Sequence, residues 1–195
     1  MTTTPKPRGK EATIEALLTA ADALFGEKGP SAVSVREIAA RANVNQALVH
    51  RHFGSKEALL DAIIEKHMLA SKAALGEGAS PEEALRNLLR YLSAQPAFTR
   101  TFAHLLLEQR PLDQFVRQTG GTSVLAGILR KAGVEAEDAR TEAAMIMAFG
   151  FGWAMFRDLT AYAAASETAP GALDEAAIST ITGLMMRFIE SSEAT

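Results

Sequence analysis

The chain has 195 residues, of which 48% are hydrophobic and 22% charged, and its formal net charge is −3. This length and apolar content suffice for one compact core or two small ones, which excludes a chain that is disordered throughout. Cysteine is absent, so disulfides, thiolate metal sites and thiol chemistry are excluded as well.

The N-terminal residues and the apolar runs bear on the compartment. The first ten residues, MTTTPKPRGK, are polar and basic and lack the apolar region of a secretory signal. No later apolar run reaches the length of a membrane span without charges or loop residues. We therefore expect a cytoplasmic protein with no membrane partner.

Charge is distributed unevenly along the chain. Residues 1–67 contain nine lysines and arginines against eight acidic residues, so the rest of the chain carries the acidic excess. Three of the four histidines also lie in this first third. The bias is small, but its sign favours an anionic partner for the N-terminal part.

Residues 1–9 are predicted to form a flexible arm, because two prolines and a glycine oppose regular structure there. Its charges, Lys6 and Arg8, leave two alternatives open: a solvated tail, or an arm that together with Lys10 reaches DNA phosphates or the minor groove. The first helix is predicted from Lys10 to Lys28, where a glycine and a proline end it. Its apolar stripe consists of Ile14, Leu17, Leu18, Ala21, Leu24 and Phe25.

Two short helices separated by a tight turn are predicted next. Ser34 and Glu37 have the spacing of a capping box, which starts a helix. The sequence Asn43-Val44-Asn45 suits a turn whose second asparagine caps the following helix, predicted from Gln46 to Phe53. Helical spacing puts Val49, His52 and Phe53 on one face of this second helix and Gln46, Ala47, His50 and Arg51 on the other.

The outer face of the second short helix has the composition of a major-groove reader. An amide can pair with adenine at two points, a methyl group can touch thymine, and guanidinium or imidazole groups can reach guanine or phosphate. The arrangement predicts a helix-turn-helix. The alternative is an ordinary corner between two helices, which carries the same caps and apolar turn residue.

This part of the chain resembles the TetR family of bacterial transcriptional repressors, over roughly residues 10 to 66. The resemblance is carried by Ala21–Gly29 (ADALFGEKG), Val35–Ala42 (VREIAARA), Val44 and Phe53–Leu60 (FGSKEALL). The chain departs from the family's usual recognition helix at His50 and His52, where tyrosine is common, and at Leu48, where threonine is common. These departures indicate an operator sequence of its own.

The resemblance implies how the head would contact DNA. Arg36 maps to a position that reads a base in some family members; its alternative role is a surface salt bridge. Lys56 follows Ser55 at the start of the fourth helix, where free N–H groups attract phosphate. The predicted DNA-binding residues are Ser34, Arg36, Asn45, Gln46, Ala47, His50, Arg51 and Lys56.

The rest of the chain is predicted to be helical. Gly76 and Gly78 form a hinge, and Ser80-Pro81-Glu82-Glu83 begins another helix with a cap, a proline and acids. The longest apolar stretch, Ala143 to Tyr162, is apolar on all sides, which predicts a helix buried on all sides. Arg157 and Asp158 interrupt it and argue against a membrane span.

A small-molecule effector and a second copy of the chain are the partners expected for these later helices. Aromatic and methionine side chains suit a cavity for an apolar or aromatic effector, or else an ordinary core. The family favours the cavity, with the predicted ligand-binding residues Phe98, Phe102, Leu106, Met145, Phe149 and Trp153. Two late apolar helices suit a four-helix dimer interface. Its predicted residues are Phe151, Ile178, Ile181, Met185 and Phe188.

An enzyme or scaffold is the main alternative from another class. The sequence has no phosphate-binding glycine loop and no His-Glu-x-x-His motif, and its serines, histidines and acids show no catalytic spacing. His104 and Glu108, one helical turn apart, could supply two metal ligands, but such a pair is more often a surface contact. We predict no catalytic residues, no metal and no cofactor.

The sequence thus predicts an all-α regulator. Residues 1–54 would form an N-terminal three-helix helix-turn-helix head, and residues 55–195 a linking helix with a C-terminal helical effector and dimerisation domain. The expected function is a homodimeric repressor that binds a near-palindromic double-stranded DNA operator and is released by its effector. An activator and a DNA binder without an effector remain alternatives.

Overall fold

The computed structural model describes residues 7–76, 78–109, 121–163 and 170–192. Regular structure within these ranges is helical, which confirms the predicted all-α class. A single 3-10 turn, Pro30–Ala32, lies between the first two α-helices. The α-helices are α1 (Lys10–Lys28), α2 (Val35–Arg41), α3 (Ala47–Phe53), α4 (Lys56–Leu75), α5 (Pro81–Ala94), α6 (Pro96–Leu107), α7 (Gly121–Lys131), α8 (Ala136–Ala163) and α9 (Pro170–Ser192).

Contacts between residues divide the chain into two compact units. The first contains the residues up to His67 and the described part of Ala97–Gln118, and the second contains Met68–Pro96 and the described part of Thr119–Thr195. The division falls inside α4. Compact units need not coincide with functional domains, so a functional boundary after residue 54 remains a prediction.

Local signals place the first helices of the first unit. Gly29 ends α1 with a φ of 82°, and its N–H donates to the carbonyl of Phe25. Asn43 has a φ of 53° in the turn before α3, a conformation that asparagine adopts more readily than most residues. α3 begins at Ala47, one residue later than predicted. The apolar faces of the four helices meet in a core that includes Leu17, Phe25, Ile38, Val49, Leu59 and Ile63.

Helix α6 also belongs to the first unit, as the close approach of its first turn to α1 shows. A Cβ added to Gly26 would lie 2.6 Å from the carbonyl oxygen of Ala97, so the two backbones are in contact. Phe98 is 1% exposed and stacks on His67 with the ring centres 4.4 Å apart. At the other end of α6, the Ser31 hydroxyl donates to Glu108 Oε2 at 2.6 Å. The helix is thus anchored at both ends.

The second unit is built around α5. The predicted capping box is present, since Ser80 Oγ accepts from the Glu83 N–H while the Glu83 side chain accepts from the Ser80 N–H. Four leucines of α5 are 1% exposed and form the centre of the unit: Leu85, Leu88, Leu89 and Leu92. α7, α8 and α9 pack around this helix.

Helix α8 corrects one expectation. Its apolar residues are not buried on all sides, because α5, α7 and α9 cover only part of its circumference. Several large apolar side chains remain exposed: Met145, Phe149, Met155, Phe156, Leu159 and Tyr162. Arg157, which interrupts the apolar run, donates to the Ser93 carbonyl and to Asp174 Oδ2. No helix in the described ranges is long and apolar enough to cross a membrane.

Candidate nucleic-acid interface

The start of α2 is fixed by a capping box that uses the Ser34 hydroxyl. Ser34 Oγ accepts from the Glu37 N–H at 3.2 Å and lies 2.8 Å from Glu37 Oε2. The Lys28 ammonium and the Ser34 N–H also donate to the Glu37 carboxylate. These hydrogen bonds, that from Lys28 first, lower the pKa of Glu37 to about 2. In the free protein the hydroxyl of Ser34 therefore serves the cap.

Helix α3 presents the predicted polar face to solvent. Val49 is fully buried, whereas Gln46, Ala47, His50 and Arg51 are exposed. Asn45, also exposed, accepts from the Ala47 N–H through Oδ1 at 2.8 Å. The N-cap position itself is taken by Gln46, whose side chain makes no cap hydrogen bond, so Asn45 supports the helix start from the position before the N-cap, one earlier than predicted. The side chains that would face a major groove are consequently held on a short, well-anchored helix.

His50 is oriented by the end of its own helix. Its Nδ1 lies 3.0 Å from the carbonyl oxygen of Gly54, so this nitrogen carries the hydrogen and donates it. Gly54 has a φ of 82° and closes α3 by donating its N–H to the His50 carbonyl. The exposed Nε2 of His50 is left to contact a ligand.

Lys56 has a structural role that the sequence did not indicate. Its ammonium donates to the carbonyl oxygens of Pro30 and Val33 at 2.7 and 2.8 Å. These contacts hold the 3-10 turn and the start of α2 against the first turn of α4. Ser55 caps α4 as predicted, since its Oγ accepts from the Ala58 N–H. One N–H of Lys56 remains for a phosphate.

The structure sorts the cations of the first unit into paired and unpaired. Arg41 makes a two-point contact with Glu27, and Lys28 and Lys66 pair with Glu37 and Glu15. Arg36 and Arg51 are exposed and have no ion pair in the described part of the chain. Arg8 and Arg100 are likewise exposed and have no ion pair there. The unpaired guanidinium groups thus include one on α2 and one on α3, and these two favour an anionic partner at those helices.

A groove next to α3 brings residues of α1 and α3 together. It has a volume of about 600 Å³ and is lined by Gly9, Lys10, Thr13, Ile14, Leu48, Arg51 and His52. Lys10 and Arg51 therefore face the same depression, at the start of α1. The sequence indicated a basic arm here, but residues 1–6 lie outside the described ranges. No spacing rule linked Lys10 to Arg51, 41 positions later.

The six predicted ligand-binding residues are divided between the two units. Phe98, Phe102 and Leu106 belong to the first unit, where Phe98 is part of the core and Leu106 is 58% exposed. Met145 and Phe149 of the second unit are exposed, and Trp153 donates its indole N–H to Asp174. Their role in ligand binding remains a prediction.

Two of the predicted dimer-interface residues face the interior of their own unit. Ile178 and Ile181 are 2% and 6% exposed. Phe151 and Met185 are half-buried, and the side chain of Phe188 lies outside the described set. The exposed apolar side chains of the second unit are instead the outer residues of α8, Leu184, which is 51% exposed, and Leu69 of α4, which is 61% exposed.

The His104 and Glu108 pair also has a structural setting. Glu108 accepts from Ser31, and the His104 ring lies 2.9 Å from the position of a Cβ added to Gly29. Within the described ranges, no three histidine or acidic side chains come together in a way that could hold a metal ion.

Comparisons with known proteins agree with this geometry. A profile of bacterial regulatory proteins, tetR family, matches residues 17–63, from α1 into α4. The chain is 33% identical over 150 residues to the HTH-type transcriptional repressor Rv3405c of Mycobacterium tuberculosis, covering 77% of this chain and 76% of the relative. It is 38% identical over 90 residues to the HTH-type transcriptional regulator BetI of Rhizobium meliloti, 44% of each chain.

The fold has a counterpart among solved structures. A transcriptional regulator (TerR/AcrR family) from Aquifex aeolicus VF5 superimposes with a TM-score of 0.68 at 25% identity. The match covers 88% of this chain and 99% of the Aquifex chain. Similarity therefore extends through both compact units.

Proposed function

Because the chain belongs to the tetR family of bacterial regulatory proteins, and is a DNA-binding transcriptional regulator, we propose that it is a homodimeric repressor with a near-palindromic operator. The observation that carries this proposal is the exposed polar face of α3, which includes the unpaired Arg51, together with the unpaired Arg36 on α2. The relative Rv3405c is itself named a repressor, which supports repression over activation. A small apolar or aromatic effector would release the DNA.

The proposed contacts divide into those that read sequence and those that position the head. Gln46 and Ala47 would reach base edges in the major groove, joined by Arg36. Contacts to phosphate hold the protein in register without selecting a sequence. We assign them to Ser34, His50, Arg51 and Lys56, with Asn45 supporting the start of α3.

The proposed dimer uses the exposed apolar side of α8 together with α9. Met145, Gly152 and Leu159 are seven residues apart, and so are Ala148, Met155 and Tyr162, which is the repeat of a helix that packs lengthwise against another. Two helices from each subunit would form a four-helix interface. A two-fold dimer would present the two α3 helices to successive major grooves, about 34 Å apart.

Release requires an effector that binds one arrangement of the heads more tightly than the other. We place the DNA-reading function in residues 1–54 and effector binding with dimerisation in residues 55–195. α4 links these parts as one continuous helix from Lys56 to Leu75. A ligand that binds tightly but leaves operator affinity unchanged would contradict this effector mechanism.

Selection of bound sequences from a random DNA library tests the proposal directly. We expect an inverted repeat with half-sites about one helical turn apart. Gln46→Ala should relax base preference at a defined position in each half-site, while Arg51→Ala should weaken all sequences similarly and reduce the salt dependence. Arg140→Ala, which removes an exposed cation from α8, is the matched control and should change neither property.

The selection has two clear outcomes. If the protein represses transcription from a promoter that carries the selected inverted repeat, in a purified system, the result supports the proposed repressor function. Activation from the same site would contradict repression but not sequence-specific DNA binding. Enrichment of no sequence by a folded dimer at low salt would show that α3 is not a sequence reader.

A further inference from the structure

The second unit contains a cavity of about 750 Å³ between the end of α4, the two glycines Gly76 and Gly78, and α7. This volume lies within the usual range for small-molecule sites, about 300 to 1,000 Å³. Its apolar wall is formed by Leu69 on α4 and by Val124 and Ile128 on α7. None of these residues belongs to the predicted ligand-binding set.

Two cations line the same cavity from different helices. Lys72 belongs to α4 and Lys131 to α7, and both are exposed. Neither forms an ion pair within the described ranges, although Lys28, Lys56 and Lys66 have their ammonium groups engaged by carboxylates or carbonyls. Each lies in the last turn of its helix, where a cation also complements the helix dipole. This cavity therefore combines positive charge with an apolar wall.

There is empty space next to Gly127, on the side of the cavity that α7 forms. A Cβ added at this helical glycine would meet no atom within 4 Å. A larger side chain at this position would therefore enter the cavity without displacing the backbone. This gives a way to fill the cavity while leaving its lysines in place.

We propose that this cavity binds an amphipathic organic anion, with its acidic group at Lys72 and Lys131 and its apolar chain along Leu69, Val124 and Ile128. That this anion is the effector rests on the proposed function. If so, the chemical class of the effector is an amphipathic organic anion. α4 carries Leu69 and Lys72 at one end and Lys56 at the other, where Lys56 holds the turn before α2. Binding at the cavity thus acts on the helix that supports the DNA-reading residues.

Calorimetric titration of the full chain tests the binding, with decanoate as the anionic probe and decyltrimethylammonium as the cationic control, both below micelle formation. We expect decanoate to bind at one site per chain and the cation not to bind. Lys72→Gln and Lys131→Gln should each weaken decanoate about fivefold, the effect of one partly exposed charge pair. Gly127→Leu should weaken it more than tenfold, because its side chain occupies the cavity.

Two variants of α7 serve as matched controls. Arg130→Gln removes a neighbouring exposed cation, and Ser123→Leu adds the same side chain at an exposed position outside the cavity. Both should bind decanoate like the unchanged protein. Thermal unfolding of every variant shows whether a loss of binding reflects loss of the fold.

The possible outcomes distinguish failure of the proposed binding site from failure of the proposed function. Equal binding of both probes, or binding that survives Gly127→Leu, would show adsorption on exposed apolar surface and overturn the proposal. No decanoate binding, together with a change of oligomeric state in Gly127→Leu, would identify an interface between copies instead. Specific binding that leaves affinity for the selected operator unchanged would refute the effector role alone. Failure to select any operator would refute the proposed function and leave the cavity result standing.

Discussion

At the scale of single residues, the Glu37 carboxylate gives a test of the α2 cap. Its pKa of about 2 lies below the ordinary value of 4.5, mainly because Lys28 donates to it, so it stabilises the fold above pH 4.5. That contribution is lost as pH falls from 4.5 towards 2. We expect Glu37→Gln to lower the free energy of unfolding at pH 7, with the difference from wild type shrinking below pH 4.5.

Urea unfolding at a series of pH values between 7 and 3 measures this difference. Glu57→Gln is the control, since Glu57 is exposed and has no ion pair in the described part of the chain. A Glu37→Gln difference that stays constant over the whole range would show that the charge of Glu37 is irrelevant to the cap.

At Glu142 we expect the same kind of substitution to have the opposite effect on the free energy of unfolding. It is 7% exposed, and its Oε2 has no hydrogen-bond partner in the described ranges. Burial first, and then the charge of Asp138, raises the pKa of Glu142 above 4.5. Ionisation therefore opposes folding once the pH rises above 4.5. Glu142→Gln should increase the free energy of unfolding at pH 7 by about 1 kcal/mol, and the gain should vanish at pH 4.

The same urea titrations decide this case. Asp138→Asn removes the neighbouring charge but not the burial, so it should give a smaller gain of the same sign. A Glu142→Gln protein that is less stable than wild type at pH 7 would mean that the carboxylate is satisfied in solution.

At the scale of helices and their connections, Lys56 joins three elements through backbone carbonyls. Lys56→Met should lower the free energy of unfolding by about 1 to 2 kcal/mol, because two hydrogen bonds from a charged donor are lost. Arg51→Met should change stability by less than about 0.5 kcal/mol, since its side chain is exposed. Chemical denaturation compares the two, and equal stability of both variants would contradict the structural role of Lys56.

Two helical glycines predict opposite effects of the same substitution. Gly26→Ala should lower the free energy of unfolding by about 1 to 3 kcal/mol, because the added methyl meets the backbone of Ala97. Gly127→Ala should raise it by about 0.5 to 1 kcal/mol, since the helix gains propensity and the site is open. Thermal and urea unfolding of the pair check both signs. Similar effects at both positions would contradict the close contact of α1 with α6.

At the scale of the whole molecule, the exposed side of α8 predicts the oligomeric state. Leu159 is 64% exposed in the single chain. If the chain forms the proposed dimer through this side, Leu159→Glu should give a monomer in sedimentation experiments, because the new charge would be desolvated at a helix interface. Affinity for the inverted repeat should fall with it. Ser123→Glu adds the same charge outside this surface and should leave the dimer intact; a dimer that survives Leu159→Glu would place the interface elsewhere.

Pairs of residues three or four positions apart in the sequence determined many of the helix starts and ends of this protein. The capping pairs Ser34–Glu37 and Ser80–Glu83 and the glycine at position 29 set helix starts and ends, and these match the structure within one or two residues. Period and composition also indicated the exposed polar face of α3. Such features could be predicted because each depends on a neighbour one turn away, and the family was recognised from the same local motifs.

Contacts between distant segments decided the rest. Lys56 binds carbonyls 26 and 23 residues away, Phe98 stacks on His67, and Lys10 shares a groove with Arg51. The spacing of the apolar residues in α8 does not predict which side of the helix packs against α5, α7 and α9 and which side stays exposed. Burial depends on what packs against a face, and the sequence of that face does not contain this information. Only the tertiary structure therefore distinguished buried from exposed positions among residues of the same apolar character.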